Sequence, residues 1–363
     1  MSDKTMRNPG SSAERVASSA GAEPAASPAS AAARPEPFPY FGPAVVVVLG
    51  VIGWGIVHSA TSPVLLSSVV PALISAIFAT GVGFLIRQNG WVSFGHAAYF
   101  GLPAYAAGFA FNNGLFSPEV AVVGSVVGVG LLAFLIALVI GRTSGVALSM
   151  LTLAIGQAFY EWSTKERAVG GSDGLTVNAP ASLFGLPGSA YFNRTSMFAI
   201  CWGTLLVIII VLELIAHSPF GKLTEAIRDN EERVRFLGYR TLIHRVTIFT
   251  ISACVTAVAG ILSLLNNGFI SPDSLHWTKS GMALIMALLG GVARVWGPLL
   301  GAVVYFVLRD YVGDATEHWL AVVGTGLIVV IVGFPSGLSG LLVRITSGFP
   351  PLARLVAPKA RPS

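Results

Sequence analysis

Residues 218–238 read SPFGKLTEAIRDNEERVRFLG, and they form the most highly charged segment of a chain that is otherwise nearly all apolar. Ser218 is a favourable N-cap, and Pro219 suits the first helical position because its missing N–H has no partner there. Gly238 suits the position just after a helix end. The sequence therefore predicts one helix over residues 219–238.

The predicted helix has an apolar face and a charged face. The apolar face, at helical spacing, consists of Leu223, Ile227, Val234 and Leu237. On the charged face Arg228 precedes Glu231 and Glu232 by three and four residues, and Asp229 precedes Arg233 by four. Such pairs add about 0.2–0.5 kcal/mol each. The segment is interpreted either as a solvated helix between two membrane spans or as a docking helix that fits a groove on a soluble partner.

The composition of the whole chain is that of a membrane protein. Charged residues make up 11% of the sequence, against about 25% in soluble domains, and the mean hydropathy is +0.75. The net charge of +5 comes without a basic face interleaved with aromatic residues, so nucleic acid is not an expected partner. Cys201 and Cys254 lie in apolar runs, and the six histidines show no metal-ligand spacing, so neither redox chemistry nor a metal site is expected.

An all-α polytopic fold with about 8–10 transmembrane helices is predicted between a disordered cytoplasmic tail at 1–40 and a second cytoplasmic tail at 342–363. Several apolar runs are shorter than a full span and contain Gly or Pro, so some should be broken or re-entrant. The membrane domain is predicted over residues 41–341. Its predicted spans are 43–58, 64–86, 92–111, 120–140, 145–160, 196–216, 246–266, 280–293, 297–309 and 318–334.

The distribution of Lys and Arg gives the orientation. The strongly basic loop at 217–245 is expected in the cytoplasm, which also places both termini there. The loops at 161–195 and 267–279 then lie outside. Spans 64–160 and 246–334 have opposite orientations, which predicts an inverted repeat with the working site between its halves.

The sequence contains no apparent energy source or catalytic centre. It has no phosphate-binding GxxxxGK[ST] motif, so no catalytic residue, metal or cofactor is predicted, and any ATP would be bound by partner subunits. Intramembrane charges are nearly absent, which disfavours a proton- or sodium-driven carrier, although polar side chains alone can bind sodium. Energy for uphill transport would then enter from another subunit through the charged segment at 219–238.

Two further groups of residues are candidate sites. The first either packs helices closely or lines a translocation path, and it consists of Ser93, Gly95, His96, Gly101, Gly290, Gly291 and Gly297. Within it, His96 is interpreted as a hydrogen-bonded packing residue rather than a proton carrier. The second group lies in the outer loop and either forms a turn or contacts an extracytoplasmic protein: Gly171, Asp173 and Gly174.

An ordered set of motifs resembles one known family. It comprises SFGHAAYFG (93–101), LTLA (151–154), GGSDGL (170–175), SPFG (218–221), AIRDNE (226–231) with Gly238, GFISP (268–272), LGG (289–291), WGPLLGA (296–302) and FPSGL (334–338). These motifs, over roughly residues 60–341, resemble those of the membrane permeases of branched-chain (hydrophobic) amino-acid ABC importers. The resemblance is to LivM-like rather than LivH-like permeases.

This resemblance implies a type II ABC importer-like fold in a bacterial inner membrane, and several partners. These are a second, LivH-like permease, two cytoplasmic ATP-binding subunits, a periplasmic solute-binding protein and membrane lipid. The residues that correspond to the family's ATPase-coupling helix are Glu225, Ala226, Arg228, Asp229, Asn230, Glu231 and Gly238. The chain departs from the family in two places. It has Arg233, Val234 and Arg235 where Ala-Ala usually follows Asn-Glu, and it has Ala293 and Arg294 where a glycine usually follows Gly290-Gly291. The solute stays open, because urea and short-amide permeases resemble these segments too.

Overall fold

The computed structural model describes residues 63–143, 145–178, 180–313 and 337–347, with short pieces between 47 and 55 and between 318 and 328. The predicted tail at 1–40 lies outside these residues, as does the chain after 347. Most of the predicted spans 43–58 and 318–334 also lie outside them.

The described part of the chain is almost entirely helical, which confirms the all-α polytopic fold. Its helices are α1 (Pro63–Asn89), α2 (His96–Asn113), α3 (Pro118–Ile140), α4 (Gly145–Lys165), α5 (Ser189–Phe192), α6 (Arg194–His217), α7 (Pro219–Asp229), α8 (Glu231–Phe236), α9 (Thr241–Asn267), α10 (Trp277–Gly290), α11 (Gly297–Gly313) and α12 (Gly337–Ser347). Four two-residue strands form two antiparallel pairs: β1 (Leu175–Thr176) with β4 (Phe269–Ile270), and β2 (Ser182–Leu183) with β3 (Leu186–Pro187).

Four of the described helices are long and apolar enough to cross a membrane: α1 from Ser67 onward, α3, α6 and α9. In the most apolar 18-residue segment of each helix, 72% of α1 and 67% of α9 is buried inside the protein. The corresponding shares are 33% in α3 and 28% in α6. Helices α1 and α9 therefore form the centre of the bundle. Helices α3 and α6 expose apolar side chains such as Val127 and Val207, which suits contact with lipid or another membrane subunit.

The two central helices run antiparallel. The Asn89 amide at the end of α1 donates a hydrogen bond of 2.9 Å to the Arg245 carbonyl near the start of α9. Further along, the Ser252 hydroxyl donates one of 2.7 Å to the Gly81 carbonyl. Each central helix is followed by an irregular segment and a helix that begins inside the bundle, α2 after α1 and α10 after α9. This opposed pairing is what an inverted repeat predicts.

Helices α2 and α10 begin next to each other, near the middle of α9. The His96 ring at the start of α2 lies 2.9 Å from the Ser252 hydroxyl of α9, and the Ala97 N–H donates a 2.7 Å bond to the Ser280 hydroxyl of α10. Helix α10 has 14 residues, or about 21 Å of length, against a hydrocarbon core of about 30 Å. The predicted span at 280–293 is therefore a half-helix rather than a full crossing.

Candidate functional site

The charged segment forms two short helices joined at Asn230. The Ser218 hydroxyl caps α7 by accepting a 3.2 Å bond from the Gly221 N–H. Asn230 has an extended backbone, and its side-chain oxygen accepts a 2.9 Å bond from the Arg233 N–H, so that it caps α8. Gly238, at φ +88°, follows the end of α8 as expected. The single helix predicted over 219–238 is thus divided, because Asn230 supplies its own N-cap.

Because the helix is interrupted at Asn230, Arg228 has different partners from those expected within a single helix. The Arg228 guanidinium pairs with the adjacent Asp229 carboxylate at 2.9 Å rather than with Glu231 or Glu232. It also donates a short hydrogen bond to the Arg87 carbonyl of α1. The pairs within one helix that the sequence suggested therefore give way to contacts with neighbouring elements.

Helix α7 is attached to the last turn of α1 by polar contacts. The Glu225 carboxylate lies 3.4 Å from Arg87 Nε and accepts a 3.4 Å hydrogen bond from the Gln88 amide. The Thr224 hydroxyl donates a 2.5 Å bond to the side-chain oxygen of Gln88, which is fully buried. A movement of α7 would therefore be transmitted to α1.

Helix α8 is attached to the first turn of α9 in the same way. The Glu231 carboxylate pairs with Arg245 Nη1 at 2.8 Å and accepts a 2.8 Å bond from the Thr241 hydroxyl. Arg245 also lies over the Trp91 ring, 5.7 Å from its centroid. The two-helix unit α7–α8 thus holds the adjacent ends of both central helices.

The α7–α8 unit buries one face and exposes another. Ile227 and Val234 pack into the bundle with 1% and 5% of their surface exposed, whereas Leu237, expected on the same stripe, is 71% exposed. Phe236 is 91% exposed. Of the predicted coupling residues, those exposed are Ala226, Arg228, Asp229, Asn230 and Gly238, and those half-buried are Glu225 and Glu231.

His96 lies at the centre of a buried polar cluster. Its ring nitrogens Nδ1 and Nε2 are 2.8 Å and 2.9 Å from the hydroxyls of Ser93 and Ser252. Because the Ser252 hydroxyl donates to the Gly81 carbonyl, its oxygen accepts from Nε2. Both ring nitrogens therefore have hydroxyl partners, and the role of His96 as a packing residue stays a prediction.

The predicted path or packing glycines occupy two places of close approach. A Cβ on Gly95 would overlap the Thr152 carbonyl of α4, and one on Gly101 would press on the Leu275 side chain. At the α10–α11 turn, a Cβ on Gly290 would overlap the Gly297 carbonyl, and one on Gly297 would overlap the Gly291 carbonyl. The structure shows close packing at both places, and a role in a path stays a prediction.

The outer-loop residues support the segment that leads into α10. Gly171 is buried beside α4, and Gly174, at φ +79°, has the Ile270 carbonyl where a Cβ would lie. Both glycines are thus explained by backbone packing, next to the β1–β4 pair. Asp173 is exposed, and contact of this group with an extracytoplasmic protein stays a prediction.

Lys279 was missed by the sequence reasoning, which placed it just before a span. In the structure it lies in the first turn of the half-helix α10, with its Nζ 5.0 Å from the centroid of the buried Phe100 ring. The available signal that this helix is short was its position between two nearby glycine-containing motifs, GFISP before it and LGG after it, the first of which also contains proline.

These features define a multi-pass helical membrane protein whose central helices are joined to a charged surface unit. The chain belongs to the family described as "Branched-chain amino acid transport system / permease component", whose match covers residues 64–334. It is therefore an ABC-type permease, and the family resemblance drawn from the motifs is confirmed at this level.

The sequence identity between this chain and individual relatives is low. The chain is 24% identical over 294 residues to the high-affinity branched-chain amino acid transport system permease protein LivM of Salmonella typhimurium, covering 73% of this chain and 68% of LivM. It is 25% identical to Escherichia coli LivM with the same coverage. The autoinducer 2 import system permease protein LsrC of Shigella flexneri is 34% identical over 110 residues, 29% of this chain and 31% of LsrC. No solved structure matches the chain.

Proposed function

We propose that this chain is the LivM-like permease subunit of an ATP-driven importer for branched-chain or other hydrophobic amino acids in a bacterial inner membrane. It would pair with a second, LivH-like permease and receive solute from a periplasmic binding protein. Two cytoplasmic ATPases would supply the energy, so this chain would bind no ATP and catalyse no reaction. Family membership and the likeness to the two LivM proteins support this proposal.

The observation that carries the proposal is the attachment of α7–α8 to both central helices. Ion pairs join Glu225 to Arg87 of α1 and Glu231 to Arg245 of α9. A partner that moved the exposed face of α7–α8 would therefore displace α1 and α9 together. Switching between two states by rigid-body movement requires that the partner contact each state differently, and ATP binding and hydrolysis in the partner would supply that difference.

The exposed face of α7–α8 suits a protein groove. Apolar Phe236 and Leu237 project next to charged Glu232 and Arg233, all exposed. An apolar anchor rimmed by charges is a common form of helix-in-groove docking. The basic departures at Arg233 and Arg235 would suit a groove that is more acidic than usual.

The experiment that tests this proposal places a bulky charge on the exposed face without touching the internal ion pairs. In the assembled transporter, we expect Ala226→Arg to abolish co-purification of the ATPase and ATP-dependent uptake of leucine into vesicles. The level of the chain in the membrane should not change. The matched control is Ala181→Arg, an exposed alanine in the 161–195 loop, which should still co-purify the ATPase.

Retention of both ATPase binding and uptake by Ala226→Arg would show that α7–α8 is not the coupling element. Two alternatives are distinguished by the wild-type measurements. A urea or short-amide permease would accumulate those solutes rather than leucine with ATP. An ion-driven carrier would lose uptake on addition of ionophores and would not need the ATPase.

A further inference from the structure

A positive charge lies about halfway along the bundle. The first turn of α10, which contains Lys279 and Ser280, meets the first turn of α2 through the 2.7 Å bond between Ser280 and Ala97. The neighbouring His96 contacts Ser252, near the middle of α9. Lys279 is therefore near the middle of the bundle, where burying a charged side chain in a membrane costs the most free energy. Ionisable residues at this depth usually serve a function.

Lys279 has no ion-pair partner among the described residues. Arg309 of α11 and Asp273, in the turn before α10, are the charged groups near enough to influence Lys279 electrostatically. Among the described residues, no carboxylate lies within salt-bridge distance of either Lys279 or Arg309. Lys279 is half-buried whereas Arg309 and Asp273 are both exposed, so the Lys279 ammonium group is the one that favours an additional anion within the bundle.

The protein groups around Lys279 strengthen this preference. Lys279 lies at the N-terminal end of α10, where the helix dipole adds further positive potential. Its Nζ is above the Phe100 ring, which stacks on Phe78 with 5.2 Å between centroids. A cation that a half-helix positions over one aromatic ring offers one polar anchor next to an apolar surface. This is the chemistry that suits a small molecule with one carboxylate and one hydrocarbon portion.

We propose that Lys279 forms a subsite about halfway along the bundle that binds the carboxylate of the transported solute. This proposal rests on the proposed function and deepens it. It favours carboxylated solutes such as amino acids over urea and short amides, which have no negative charge. The Nζ would donate a charge-assisted hydrogen bond to the carboxylate as the solute passes.

Transport by the assembled system gives the first test, with leucine and leucinamide, an analogue that lacks the carboxylate, as probes. We expect Lys279→Met to raise the KM for leucine by about tenfold or more, since a charged hydrogen bond is lost. The low rate of leucinamide uptake should not fall, because leucinamide has no carboxylate for Lys279 to bind. Lys279→Arg should restore most of the leucine KM. The matched control is Lys165→Met, which removes a 77%-exposed lysine at the end of α4 and should leave both rates unchanged.

If Lys279→Met has the wild-type KM for leucine, the proposed subsite is wrong, although the proposed function would still hold. A wild-type transporter that accumulates neither leucine nor any other hydrophobic amino acid would instead contradict the proposed function. The subsite then has to be judged by a measurement that does not need transport.

That second measurement is amine labelling of the full chain in its native membrane, read residue by residue by mass spectrometry. We expect isovalerate to slow acylation of Lys279 several-fold, and isovaleramide, of nearly the same shape but uncharged, to have no effect. Labelling of Lys165 should respond to neither compound. Equal protection of Lys279 by both compounds, or protection by neither, would rule out recognition of a carboxylate.

Discussion

Gly95 occupies a position at which two helices leave no room for a side chain. Its φ of −96° is open to any residue, so the conformation does not require glycine. The requirement comes from the Thr152 carbonyl, which a Cβ would overlap. The neighbouring His96 is held by two serine hydroxyls. The motif SFGHAAYFG is therefore explained by a tight, hydrogen-bonded junction of α2, α4 and α9.

The first residue-scale prediction concerns this junction. We expect Gly95→Ala to lower the free energy of unfolding by about 1–3 kcal/mol, because the backbone of α4 must move to admit the methyl group. The measurement is thermal unfolding of the purified chain in detergent. Gly128→Ala is the control, since Gly128 has open space around it, and it should stabilise its helix by roughly 0.5–1 kcal/mol. Equal effects of the two substitutions would contradict the assignment.

At the scale of single elements, the sequence predicted the presence of helices better than their ends. The charged segment has continuous helical periodicity from Leu223 to Leu237, and this periodicity concealed the break. The signal was Asn230 followed by Glu231 and Glu232, a favourable cap with acidic residues in the first turn. Local sequence shows that Asn230 can cap a helix, but the ion pairs to α1 and α9 that fix the bend are distant in sequence.

The position in the bundle at which α10 begins could not be predicted from the sequence either. Its composition suits a span, and only its contacts with α2 show that it begins inside the bundle. Lys279 was consequently assigned to an outer loop. The predicted inverted repeat, by contrast, could be inferred from charge alone, because Lys and Arg report on orientation without reference to packing.

The element-scale prediction is a double-mutant cycle on Glu231 and Arg245. We expect a coupling energy of about 1 kcal/mol, because Arg245 is only 11% exposed and the pair is partly shielded from water. Thermal unfolding of the two single variants and the double variant measures it. The comparison cycle on Glu161 and Lys165, which are 52% and 77% exposed, should give at most about 0.5 kcal/mol. A smaller coupling for the first pair than for the second would show that α8 is not held by this contact.

For the whole molecule, the structure fixes which parts share an end of the bundle. The α7–α8 unit lies at the end formed by Asn89 and Arg245. The segment with Gly174 pairs with β4, which follows the other end of α9. The positive residues around α7–α8 predict that its end is cytoplasmic.

Cysteine labelling tests this orientation. In a background without Cys201 and Cys254, we expect a membrane-impermeant thiol reagent to modify Ser172→Cys in intact cells. It should modify Glu232→Cys only after the cells are permeabilised. Both positions are exposed in the structure, so reactivity reports the side of the membrane rather than burial. Labelling of Glu232→Cys alone in intact cells would invert the proposed topology.

The exposed Phe236 and Leu237 have a consequence for production of the protein. A tip with side chains 91% and 71% exposed is a liability for a subunit synthesised in excess of its companions. An unassembled copy of the subunit would tend to aggregate and to be degraded by quality-control proteases. The amount of intact chain that a cell accumulates should therefore follow the supply of whatever protein shields that tip.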